Sequence, residues 1–198
     1  MSHYYDAHPE GPFRTSKITV TLKGRTIELY SSSGLFSIKH VDRATELLVE
    51  HMQVPAEARV LDLGCGYGVV GLAVKLLYPE TEVVLTDINP RAVKVSRQNA
   101  KLHGVELDIR HGNIYATVEG EQFNVILTNP PYVAGRKVCY AFIDGAYEHL
   151  RAGGTLQLVA RHAKGGKMLE KRMQERFGNV TTLAKGSGFR VYISEKTA

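Results

Sequence analysis

The sequence predicts an α/β fold: a central, mostly parallel seven-stranded sheet covered by helices, closed by a terminal antiparallel hairpin and preceded by an N-terminal β extension. Three observations predict it. From Arg59 onward, short apolar runs alternate with segments of helical period, the pattern of repeated β-α units and a parallel sheet. The first of these runs ends in a cluster of glycines, Gly64, Gly66 and Gly68. The chain closes on two β-type runs separated by Gly186–Ser187–Gly188, which reads as a hairpin.

The elements follow in order. Lys17–Leu22 and Thr26–Tyr30 read as strands flanking a turn at Lys23–Arg25, and Ser31–Gly34 reads as a loop. A helix fits Val41–Met52, with Val41, Ala44, Leu48 and Met52 on one stripe and Pro55 just beyond its end. Val60–Leu63 is the first core strand; Val69, Leu72, Ala73, Leu76 and Leu77 then recur at helical spacing. Glu82–Thr86 is the second, with Pro90 suited to the first turn of the next helix. Val105–Ile109 is the third and Phe123–Thr128 the fourth. A helix is expected over Tyr140–Leu150, stopped by Gly153–Gly154, before a fifth strand at Thr155–Ala160. Leu169, Met173 and Phe177 make the apolar stripe of a last helix whose other faces carry Lys167, Lys171, Arg172 and Arg176. Val180–Ala184 and Phe189–Ser194 complete the seven strands. The organisation expected is one structural domain, with residues 1–58 an extension packed on a core of residues 59–198.

Composition narrows the classes. No run of eighteen apolar residues is present to span a membrane, and residues 1–13 show no apolar leader core, so a cytoplasmic protein is expected. Two cysteines, Cys65 and Cys139, are too few for a zinc site and are expected to be reduced; no metal is expected. The net charge of +5 is unevenly spread. Residues 151–198 hold ten Lys and Arg against three acids, whereas residues 1–150 hold fifteen against seventeen. All the excess positive charge therefore lies in the last quarter, which suggests an anionic partner, nucleic acid first, against the plainer reading of a solvated basic helix face.

Ligands of such sheets bind at the carboxyl ends of the strands, near the reversal of strand order. After the first core strand stands Asp62–Leu63–Gly64–Cys65–Gly66–Tyr67–Gly68, a glycine turn leading to a helix N-terminus. After the second stands Asp87, 23 residues beyond Gly64, one β-α-β unit on and able to accept from two ribose hydroxyls. Gly66, Gly68 and Gly71 also satisfy the dinucleotide pattern GxGxxG, but Asp62 at the strand end would repel a pyrophosphate. After the fourth strand stands Asn129–Pro130–Pro131–Tyr132. An exocyclic base amine is a poor nucleophile, because its lone pair is delocalised into the ring. The Asn129 side-chain oxygen and the Pro130 carbonyl are acceptors that hold its two N–H groups and favour a pyramidal nitrogen, and Pro131 stiffens the turn. Tyr132 offers a face for stacking a base, worth about 1–3 kcal/mol.

Asp62–Gly68 with Asp87 resembles the first two motifs of class I methyltransferases, which have a Rossmann-like fold and use S-adenosylmethionine. That resemblance implies that Asp62, Gly64 and Gly66 contact the methionine part, that Asp87 holds the ribose and that Ile88 packs on the adenine. Asn113 stands where an acid near the adenine amine is common, and Asn129 borders the same site. Asn129–Tyr132 resembles the motif of amino-group methyltransferases, whose substrates are adenine or cytosine in nucleic acids, guanine N2 in ribosomal RNA, or glutamine in release factors. Ser33–Ser37 with Asp42 and Thr45 is similar to a segment of the small-subunit rRNA guanine-N2 methyltransferase family. It implies that Phe36, Ser37, Asp42 and Thr45 help close the cofactor site, and that the chain is a compact version, of a kind known from archaea, without the duplicated N-terminal domain. Ribosomal RNA or the small subunit is then the expected partner, contacted by Pro131, Tyr132, Arg161, His162, Lys164, Lys167, Lys185 and Arg190, with a surface role the plainer reading for His162. Guanine N2 ranks first and cytosine N4 a close second, since the Asn-Pro-Pro-Tyr turn fits any planar amine. A glutamine methyltransferase predicts a helical N-terminal substrate domain, for which residues 1–58 are too short and too β-like. A silent cofactor-binding scaffold remains the reading of another class.

Overall fold

The computed structural model describes residues 11–33, 35, 37 and 39–197. Its nine strands are β1 (Thr15–Leu22), β2 (Arg25–Ser32), β3 (Arg59–Leu63), β4 (Glu82–Asp87), β5 (Asp108–His111), β6 (Phe123–Thr128), β7 (Leu150–Arg161), β8 (Thr181–Gly186) and β9 (Phe189–Glu195). Its helices are α1 (Arg43–His51), α2 (Val69–Leu77), α3 (Pro90–Leu102), α4 (Arg136–His149) and α5 (Lys167–Phe177). Seven strands form one sheet in the order β5-β4-β3-β6-β7-β9-β8, and β1 pairs with β2 in a separate antiparallel ribbon. Within the large sheet β3 to β7 run parallel and β9 runs antiparallel to both its neighbours. Strand order reverses between β3 and β6, so the loops leaving their carboxyl ends flank a crevice. Thr128 pins that point, its hydroxyl donating to the Leu63 carbonyl at 2.8 Å.

The strands follow their sequence. β3 and β6 are buried on both faces, hence their unbroken apolar runs. Both hairpins close on two-residue turns, Lys23–Gly24 (φ 47° and 73°) and Ser187–Gly188 (φ 50° and 82°), whose positive φ values match the strand twist.

Several boundaries differ from expectation. β2 runs on to Ser32, so Ser31 and Ser32 pair with Ser16 and Thr15 in the ribbon and do not belong to the loop. β5 starts at Asp108 rather than Val105, because the Val105 N–H is used to close the end of α3 on Ala100 at 3.1 Å. α4 starts at Arg136 and ends at His149, and β7 begins at Leu150. Gly153 and Gly154 therefore lie inside a strand, where the β6–β7 register slips. A Cβ on Gly154 would come within 2.9–3.1 Å of the carbonyls of Arg151, Asn124 and Phe123, so the glycine serves close backbone approach, not helix termination.

Two buried amides tie peripheral elements to the core. Asn99 on α3 accepts from Tyr30 N at 2.7 Å and donates to Tyr30 O at 2.9 Å and Tyr67 O at 2.8 Å. It thus joins β2 to the glycine turn, while Ile18, Val20, Leu22, Ile27 and Leu29 of the ribbon merge into the core shared with α2 and α3. Gln157 on β7 does the same for the chain leaving α1, exchanging bonds of 2.9 and 2.7 Å with the backbone of Gln53. Asn99→Ala orphans three backbone groups at a site 1% exposed, and should destabilise the protein by about 3 kcal/mol. A lower midpoint in urea with an unchanged slope checks this; a loss well under that figure means the site repacks or admits water.

Candidate active site

The loops after β3, β4 and β6 and the N-terminus of α1 converge on one cleft, lined by Asp42, Thr45, Asp62, Gly64, Gly66, Asp87 and Asn129 among others. Asp62 is buried, and its Oδ2 accepts from Gly71 N at 2.8 Å. Asp87 accepts from Gly66 N at 2.8 Å through Oδ2 and from Asn89 N at 2.8 Å through Oδ1. Asp87 thus holds the glycine turn itself, and Asp62 holds the first turn of α2 that follows it. Gly66 sits at φ 57°, where a side chain is strained, and lies open to the cleft; Gly71 is glycine because a Cβ would strike Leu85 at 2.7 Å.

Both carboxyls are costly to ionise. Burial pushes Asp62 up from 3.8 to about 7, the Asp87 charge adding to the rise against the Gly71 hydrogen bond. Burial also lifts Asp87 to about 6, opposed by the hydrogen bonds from Asn89 and Gly66 and by His111. Folded, each holds its proton more tightly than unfolded. Their contribution to stability is therefore present at acid pH and is lost as pH rises through about 6 and 7. The unliganded protein should melt higher near pH 5 than near pH 8, as thermal denaturation at the two pH values will read. A cationic ligand that needs these carboxylates ionised should show the opposite trend, binding more weakly at pH 5.5.

Asn129 and its neighbours form the cleft's other wall. The Asn129 side-chain nitrogen donates to Asp42 Oδ2 at 3.0 Å and to Thr45 Oγ1 at 3.1 Å. Asp42 is also the N-cap of α1, accepting from Thr45 N at 3.4 Å. The Pro131 carbonyl accepts from Ala134 N at 2.9 Å, whereas the Pro130 carbonyl meets no donor among the described residues. Tyr132 opens a short 3₁₀ turn (Tyr132–Ala134) and packs under Gly165, where an added Cβ would lie 3.4 Å from its ring.

Not every expected residue lines this cleft. Ser37 (φ 57°) lies beside it, its carbonyl accepting from the Tyr67 hydroxyl at 3.4 Å. Ile88 follows Asp87 outside the lining, and its carbonyl bonds the His111 ring at 2.8 Å. Asn113 is exposed in the loop after β5, also outside the lining. Phe36 lies outside the described residues. Leu35, Cys65, Tyr67 and Ala92 line the cleft without having been expected to. Cys65 and Tyr67, both inside the glycine motif, were the ones with a signal in the sequence.

The cationic tail divides in two. Arg172 pairs with Asp144 on α4 at 2.7 Å, Arg176 with Glu148, and Lys171 with Glu175 at 3.8 Å, so the basic face of α5 is largely neutralised. Arg161, Lys164, Lys167, Lys185 and Arg190 make no ion pair among the described residues. They sit at the carboxyl end of β7, in the turn after it, at the first residue of α5 and beside the β8–β9 turn, the same sheet edge as Asn129. His162 is fixed there, its Nδ1 bonded to the Tyr192 hydroxyl at 2.6 Å and its N–H to Gly188 O at 3.0 Å. Its pKa is lowered by burial and then by the charge of Arg190, with Lys167 and Lys185 adding to the effect against Glu170. No group of three metal-ligating side chains occurs among the described residues, and neither cysteine is bridged.

A mostly parallel seven-stranded sheet ending in an antiparallel hairpin, with a glycine turn at its switch point, is the fold of class I methyltransferases, and solved structures similar to the chain belong to that class. The chain belongs to the methyltransferase small domain family, whose pattern matches residues 26–193. It is 32% identical over 197 residues to the Bacillus subtilis (strain 168) protein YbxB, covering 98% of both chains, so this compact length also occurs in a bacterium. It is 35% identical over 175 residues to ribosomal RNA small subunit methyltransferase C of Pseudomonas fluorescens, covering 86% of this chain and 51% of that one. The Thermus thermophilus 16S rRNA N2 G1207 methyltransferase (RsmC), solved with AdoMet and guanosine, superposes with a TM-score of 0.85 at 28% identity, over 95% of this chain and 52% of that one. The chain thus spans about half the length of these rRNA methyltransferases.

Proposed function

We propose that this chain transfers a methyl group from S-adenosylmethionine to the exocyclic N2 amine of a guanine in small-subunit ribosomal RNA. The observation that carries the reading is that Asn129 lines the same cleft as Asp62 and Asp87. A methyl donor held by the acids and an amine held by the Asn129–Tyr132 turn then face each other. The residues fit the donor: Asp87 has acceptor oxygens for ribose hydroxyls, Asp62 offers negative charge to a cationic methionine moiety, and the Gly66 backbone stands open to close approach. When bound, S-adenosylmethionine supplies a methyl group already activated on a sulfonium.

The protein's part is alignment and electrostatics. The Asn129 Oδ1 and the Pro130 carbonyl accept the two amine hydrogens and leave the nitrogen lone pair directed at the methyl carbon. As the N–C bond forms the C–S bond breaks, its electron pair staying on sulfur, and the nitrogen then sheds a proton to water. No side chain in the turn is basic, which suits a proton that leaves after attack. Tyr132 stacks the base, and Arg161, Lys164, Lys167, Lys185 and Arg190 meet phosphates around a nucleotide turned out of its helix. The similarity to enzymes named for small-subunit rRNA, one solved with guanosine, supports guanine over cytosine.

The test is methyl transfer from labelled S-adenosylmethionine to small ribosomal subunits and their RNA from a strain lacking this gene, followed by nucleoside mass spectrometry. Label in N2-methylguanosine supports the proposal. Label in N4-methylcytidine keeps the mechanism and changes the base; no labelled nucleoside, with cofactor binding intact, overturns it.

A further inference from the structure

A side-chain amide is useful as an acceptor only if it faces the right way, and Asn129 sits on a short turn that does not fix its own rotation. The partners across the cleft do. A carboxylate has no proton to give. With the amide reversed, the Asn129 oxygen would lie about 3 Å from a carboxylate oxygen, two acceptors in contact. Thr45 Oγ1 takes the second hydrogen at 3.1 Å, so both amide hydrogens are spent and Oδ1 bonds nothing among the described residues. The two partners are themselves held. Asp42 and Thr45 are joined by the helix cap, and the far end of α1 is anchored through Gln53 and Gln157. Leu47 of the same helix packs against Gly186 of the β8–β9 hairpin, 3.2 Å from where a Cβ would stand.

We propose that Asp42 and Thr45 are positioning residues, which take both hydrogens of the Asn129 amide and so fix its oxygen as the acceptor presented to the substrate amine. The proposal rests on the methyltransferase reading for its consequence in catalysis, but not for the orientation itself. It gives the N-terminal segment a part in the reaction: Asp42 precedes Asn129 by 87 residues and belongs to a helix outside the sheet-forming units.

Two variants separate this role from helix capping and from charge. Asp42→Ser keeps one of the best N-caps but is too short to reach Asn129. Asp42→Asn keeps an oxygen and removes the charge. Each is compared with wild type by the ¹⁵N side-chain amide resonances of Asn129, assigned by their absence in Asn129→Ala, by calorimetric S-adenosylmethionine affinity, and by the single-turnover rate on small subunits. Expected for Asp42→Ser are shifted Asn129 amide resonances with faster proton exchange and a rate lower by about 10–100-fold, at unchanged cofactor affinity. Asp42→Asn should restore most of both signals, and Thr45→Val should give a smaller loss of each. Unmoved resonances in Asp42→Ser overturn the proposal. So does an equal loss of cofactor affinity in Asp42→Ser and Asp42→Asn with the rate at saturation intact, which makes Asp42 a charged cofactor ligand. If the resonances respond as expected while wild type methylates no nucleoside, the positioning stands and the substrate reading falls.

Discussion

Asn129→Ala is expected to lower single-turnover methyl transfer by about 10²–10³-fold, the usual consequence of removing one preorganised partner from a reacting group. Binding of S-adenosylmethionine, measured by calorimetry, should change little. The fold should survive, because the side chain is partly exposed and bonds only Asp42 and Thr45 among the described residues. Asn129→Asp should be no milder. It sets a second carboxylate beside Asp42, so one of the pair must take up a proton or swing away. Retained transfer in Asn129→Ala would remove the Asn129 side chain from the mechanism.

Asp87→Ala should act on the other substrate. It withdraws the acceptor for Gly66 N and Asn89 N and, in the proposed function, for the ribose. At about 1.5–3 kcal/mol for each hydrogen bond to a charged group, the loss of two ribose contacts alone amounts to roughly 10²–10⁴-fold in cofactor affinity. Transfer at saturating cofactor should be much less affected. The melting temperature near pH 8 should fall little, since the variant also removes a carboxylate that is costly to ionise in place. Unchanged affinity with a lower melting temperature would make Asp87 a brace of the glycine turn and nothing more.

The sheet was legible where burial leaves a one-dimensional trace. β3, β4 and β6 are short apolar runs because both their faces are covered, and the motifs after them are contiguous in sequence, so the order of elements places them at the switch point. Reading failed where a residue's reason lies across the fold. Gly153 and Gly154 look like a helix stop, and only the carbonyls of β6 show why Gly154 belongs in a strand. The start of α4 was hidden because Arg136 and Lys137 are exposed and Gly135, its cap, offers no side-chain signal. The charge of the last quarter was visible as a sum, but its neutralisation on α5 depends on Asp144 and Glu148 of another helix. In the cleft, Asp42 and Thr45 were picked out by resemblance as cofactor residues. Their bonds to Asn129 span 87 and 84 positions and left no pattern along the chain.

Asn99 touches the outer ribbon with two of its bonds and the glycine turn with the third. Whatever steadies the turn therefore steadies the ribbon, and by reciprocity whatever loosens the ribbon taxes the turn. Backbone amides of Arg25–Ser32, 30 or more positions upstream of the motif, should exchange with deuterium more slowly once the cleft is filled. A peripheral two-stranded ribbon thereby becomes a gauge of occupancy in a site it does not line.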